Sequence, residues 1–175
     1  MILNLVTNSL EEQKQQKETI NIYITMERPK LLKRDATASA ASYSAPSGGS
    51  VDSMVAACVT ELMNAATSFH KLHLKVQGAG AFAAHKALNE LYDALPDHAD
   101  SLAEGYQGAA ELILQYGEVS PRSLATPVDA LGYIRDIIAM VTNLQAKVPY
   151  SEIVNSLDTV KDTLNSAKYK LLFLK

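Results

Sequence analysis

The chain has 175 residues, 47% of them apolar, with 8 Gly, 6 Pro and a formal net charge of −3. That length can bury a substantial core, and so few turn formers favour helix over a turn-rich β fold. The charge excludes a general electrostatic drive toward nucleic acid, and the lone Cys58 excludes an internal disulfide framework. No uninterrupted apolar run approaches the roughly 18 residues that a membrane-spanning helix needs.

The N-terminus, Met1-Ile-Leu-Asn-Leu-Val, turns polar within a few residues and lacks a basic flank, so no secretory signal is expected and the chain reads as cytoplasmic. Residues 1–50 differ in composition from the remainder. Glu11 to Glu18 is charged and Gln-rich, Asn21-Ile-Tyr-Ile-Thr25 alternates like a strand without an evident partner, and Met26 offers an alternative start. Arg28, Lys30, Lys33 and Arg34 then precede an Ala/Ser segment ending in Pro46-Ser-Gly-Gly-Ser50. Such a composition buries too little apolar surface to offset its ordering entropy, so a flexible, mildly basic extension is expected. It reads as a solvated tail, with a weak DNA-contacting arm as the functional alternative.

The folded domain is expected over residues 51–175, with Ser50 or Asp52 as N-cap. Val55, Cys58, Val59, Leu62, Ala66, Phe69 and Val76 recur at helical spacing and predict a first helix to about Lys75. Cys58 falls inside that run and reads as a buried small residue. A second helix is expected from Ala81 to about Tyr116, stopping at Gly117, with Pro96 kinking or splitting it. After a loop of about eight residues, Thr126-Pro127 caps a third helix carrying Leu131, Ile134, Ile137, Ile138, Val141 and Leu144. Pro149-Tyr150-Ser151 breaks it and opens a fourth helix ending near Leu174. Four amphipathic helices with short connections predict an all-α, antiparallel four-helix bundle.

Chemistry concentrates on His73, His85, Asp100 and Glu104. His73 lies six residues before Ala79 and His85 six after it, with Gly78 and Gly80 flanking that midpoint. A Gly-Ala-Gly turn between antiparallel helices therefore sets both imidazoles at one height. Asp100 and Glu104 are one helical turn apart. Two imidazoles and two carboxylates form a ligand set suited to iron. His85 and Asp100, however, are separated by about 22 Å along a continuous helix at 1.5 Å per residue. They cannot grip one ion within a subunit. Two copies crossing antiparallel about a two-fold axis near Tyr92 or Asp93 would bring His73 and His85 of one to Asp100 and Glu104 of the other. His70 lies beside this set but off the apolar stripe, as an auxiliary candidate. His98 reads as a surface residue, and Tyr92 and Tyr106 as core.

The pattern His73, eleven residues, His85, then Asp100-Ser-Leu-Ala-Glu104 resembles the Dps-type miniferritins of the ferritin-like superfamily. His85-Lys-Ala-Leu and Tyr106-Gln-Gly also look like the shorter Dps-like proteins of tailed bacteriophages. The resemblance implies a ferritin-like bundle whose dimer two-fold carries a non-haem iron site of the di-iron kind, with ferroxidase activity using peroxide or oxygen. It implies His73 and His85 as ligands from one subunit, Glu104 as bridging carboxylate and Asp100 as its companion from the partner. It further implies iron storage in a dodecameric cage and, in some members, DNA protection through basic tails. The sequence departs from that pattern at Asn89, where the family has Asp, at Leu74, where Trp is common, and at Pro96. Asn89 would then be an auxiliary, neutral ligand. There is also little room for the short helix the family places between its second and third helices. A bundle with a degenerate site, acting as a structural or interaction protein in a phage particle, is the alternative.

Overall fold

The computed structural model describes residues 50–174. The expectations for the basic extension, for Met26 as a start and for a DNA-contacting arm fall on residues 1–49, outside the described residues. Those described are all-α, with helices α1 (Val51–His73), α2 (Ala81–Ala110), α3 (Pro127–Gln145) and α4 (Ser151–Phe173) and no strand among them.

Local chemistry sets most of these boundaries. Ser50 caps α1 by accepting from the Ser53 amide at 3.2 Å, and Asp52 complements the positive end of the helix. Gly78 and Gly80 adopt φ of 88° and 75°, left-handed values that give the chain its reversal before α2. Thr126 and Asp129 form a reciprocal capping box at the start of α3, with Pro127 in the first helical position.

In α2 the expected C-terminus fails, and of the two alternatives for Pro96, a kink or a split, the split fails. The helix runs unbroken from Ala81 to Ala110 through Pro96, so the proline does not split it. Pro96 is exposed and, with Tyr92, lines an open groove, where water can reach the Tyr92 carbonyl deprived of its helical donor. The helix also stops well before Gly117, because Glu111 takes the left-handed conformation (φ 52°) and Leu112 N–H bonds Gln107 C=O at 3.2 Å. The following connection therefore occupies residues 111–126 and contains no helix.

The helices surround one core. α1 pairs antiparallel with α2, since His73 meets His85 at one end and Asp52 accepts from Tyr106 Oη at the other. α2 pairs antiparallel with α4 through Glu90–Lys170, His98–Thr163 and Gly105–Ile153. α3 lies beside both α1 and α4. Leu62, Phe69, Leu88, Leu95, Leu102, Ile134, Ile137, Ile153, Leu157 and Leu164 are fully buried between them. Because α3 starts beside the α1–α2 turn, residues 111–126 travel back along the helices. They are fastened on the way: Gln107 Oε1 accepts from Leu114 N–H at 2.9 Å, Asn64 Oδ1 accepts from Ser120 N–H at 2.6 Å, and Arg122 bridges Glu61 and Asp136 at 2.8 and 2.7 Å. The Arg122 guanidinium also sits 3.9 Å above the Tyr133 ring. None of the helices within the described residues is long and apolar enough to cross a membrane.

Candidate metal centre

The turn at Gly78–Gly80 brings His73 and His85 together. Their rings stack with centroids 3.7 Å apart, and each is tied to the other's backbone. His73 Nδ1–H donates to the His85 carbonyl at 3.1 Å, and His85 Nδ1–H donates to the His73 carbonyl at 3.3 Å. A carbonyl only accepts, so both Nδ1 atoms must carry hydrogen, and each neutral ring keeps its lone pair on Nε2. Metal-binding imidazoles are commonly oriented in this way, by a hydrogen bond from the non-ligating nitrogen to a carbonyl or carboxylate. His73 is 7% exposed, whereas His85 lies at the surface.

Around this pair the α1–α2 seam carries further polar and aromatic groups. His70 is exposed and stacks on Tyr92 at 4.0 Å, while its centroid stands 6.0 Å from that of His73. Tyr92 packs edge-on against His73 at 5.2 Å and is partly buried against the core, so it joins the seam to the core expected of it. Its hydroxyl donates to Asn89 Oδ1 at 3.2 Å, and Asn89 Nδ2 donates to Asp93 Oδ2 at 2.7 Å. The Asn89 amide is thereby engaged on both sides. Sequence reasoning missed this link, although Tyr92 lies seven residues after His85 and hence on nearly the same helix face. A groove of about 390 Å³, lined by residues including Ala66, His70, Tyr92, Asp93 and Pro96, runs along the same seam.

Asp100 and Glu104 stand apart from the imidazoles. Both are exposed and lie on the same unbroken helix as His85. Among the described residues, no three His, Cys, Asp or Glu side chains of one chain converge as a metal site. The Tyr116 phenol, raised above its ordinary value by burial and by the Asp100 carboxylate, marks the surroundings of the acidic half. His98 is half-buried rather than on the surface as expected; its Nε2 lies 2.8 Å from Thr163 Oγ1, and burial lowers its pKa. Cys58 is fully buried, its thiol pushed up to about 12 by burial and then by Glu61, which leaves it unreactive. Tyr106 is core, as its position on the apolar stripe predicts.

The profile of a family of unknown function, DUF5856, matches residues 73–171. The chain belongs to DUF5856. The span shared with DUF5856 takes in all four candidate ligands, the whole of α2 and α3, and α4 as far as Leu171. No curated protein and no solved structure matches the chain.

Proposed function

We propose that this DUF5856 chain is a Dps-like miniferritin: a ferritin-like four-helix bundle that binds Fe(II) between subunits, oxidises it and sequesters the product. The observation that carries this reading is the His73–His85 pair, two stacked imidazoles held by reciprocal Nδ1–H bonds, with no partner for either Nε2 among the described residues. Such a pair is prepared to donate to a metal but supplies only half of a site. Asp100 and Glu104 of a second copy, crossing antiparallel over the α1–α2 seam near Tyr92 and Asp93, supply the carboxylates. The groove at that height offers the contact surface. Imidazole and carboxylate donors together suit iron, and the carboxylates favour the ferric product. With peroxide as oxidant, two Fe(II) each lose one electron while one peroxide and two protons become two waters.

A second reading rests on Asn89. Its amide is held by Tyr92 and Asp93 rather than offered as a ligand, which favours a bundle with a degenerate site, retained as a structural or interaction module. Anaerobic Fe(II) loading followed by peroxide separates the two. Ferroxidase activity predicts fast growth of ferric absorbance that drops at least tenfold in Glu104→Ala and in His85→Ala, both changes at exposed positions. Equal, slow traces for wild type and both variants would sink the ferroxidase reading and leave the structural one.

A further inference from the structure

Away from the seam, the end of the molecule where α2 and α3 begin and α4 finishes carries a second feature, lined mostly by apolar residues with Gln77 among them. Val76, Ala81, Val128, Leu131, Leu172 and Leu174 line an open groove of about 530 Å³ there. Phe82, Val128 and Phe173 stand exposed around it. Apolar side chains gathered so closely at a surface mark a docking site more often than a solvated face. Three lysines stand close along the chain to the lining residues, Lys75 beside Val76, Lys86 after Ala84 and Lys168 one turn before Leu171. Among the described residues none carries an ion pair, and Lys168 Nζ donates to Asn165 Oδ1 at 2.6 Å. The acids near them are committed, Asp129 to the amides of Ala125 and Thr126, and Glu90 to Lys170.

The first part of the connection after α2 has the complementary character. Ile113, Tyr116 and Val119 are exposed, and Glu111 and Glu118 are interspersed with them, with no Lys or Arg from Glu111 to Pro121. Neither carboxylate is ion-paired among the described residues. Groove and segment lie toward opposite ends of the same molecule, since α2 begins at one and finishes at the other. One copy cannot satisfy both.

We infer that the groove receives the Glu111–Val119 segment of a second copy, apolar side chains entering it and the two carboxylates meeting Lys75, Lys86 and Lys168. The contact joins unlike surfaces, so it is heterologous and each copy offers one donor and one acceptor. It uses a different face from the seam that holds His73 and His85 and does not depend on iron.

The test exploits that asymmetry. Val128 is 73% exposed and Ile113 72%, so Val128→Glu and Ile113→Glu should each leave helix content unchanged by circular dichroism. In light scattering of the full chain, wild type should gain mass with concentration, and less so at high salt. Each variant alone should lose that gain. An equimolar mixture should recover one contact per pair, because the intact groove of I113E can take the intact segment of V128E. A mixture no heavier than its components overturns the inference. So does binding of wild type, lost in V128E, to vesicles of anionic phospholipid at protein concentrations where its mass does not rise.

Discussion

His73 and His85 differ in burial yet hold each other in the same way, ring nitrogen to carbonyl, and this fixes both the tautomer and the direction of the remaining lone pair. That pairing was legible in the sequence because a two-glycine turn leaves little freedom in the register of the flanking helices. The engagement of Asn89 by Tyr92 and Asp93 was not, since it depends on side-chain rotamers that spacing does not determine. His98 shows another limit of pattern reading, and it has a measurable consequence. Burial lowers its folded pKa below the ordinary 6.5, with Asp97 opposing in part. Below that ordinary value the unfolded chain takes the proton more readily than the folded one, so stability should fall as the pH drops from about 6.5 through the folded value. His98→Gln should flatten that limb in denaturant titrations run between neutral and mildly acid pH. An unchanged slope would show that His98 does not contribute to it.

At the scale of elements, the same chemical change should act with opposite sign at two glycines. Gly78 has φ 88° and nothing within 4 Å of an added Cβ, so Gly78→Ala carries only a backbone penalty, about 1 kcal/mol of lost stability. Gly132 lies inside α3 with the same open space, and Gly132→Ala should raise stability by roughly 0.5–1 kcal/mol through helix propensity. Thermal melts of the two variants beside wild type check both signs at once. Three of the four N-terminal boundaries, at Ser50, Ala81 and Thr126, were readable because caps and turn glycines have local signatures, and the fourth, at Ser151, because Pro149 ends the helix before it. The C-terminus of α2 was not. Gly117 is the residue that a left-handed cap prefers, yet Glu111 takes that conformation, and Gln107 compensates by holding Leu114 N–H and the Tyr116 hydroxyl. Pro96 left two outcomes open, a kink or a split, and the helix stays whole because an exposed proline can sit within it when solvent reaches the carbonyl left unpaired.

For the molecule as a whole, α1 and α2 make one antiparallel hairpin and α3 and α4 another, each closed by a short turn. The connection between them does not simply bridge a gap. It lies against α1 and is pinned by Asn64, by the Arg122 ion pairs with Glu61 and Asp136, and by the Tyr133 ring beneath the guanidinium. These contacts lie on the α3 side of Gly117, so they would survive a break in the backbone beside that residue. The protein is thus already organised as two separable pieces that recognise one another. A chain cut between Gly117 and Glu118 should reassemble from its two fragments when they are coexpressed, which native mass spectrometry would register as an equimolar complex. Adding Arg122→Ala to the second fragment should weaken that complex several-fold. The link, in sequence only a tether, would then serve as the adhesive for a split form of this fold.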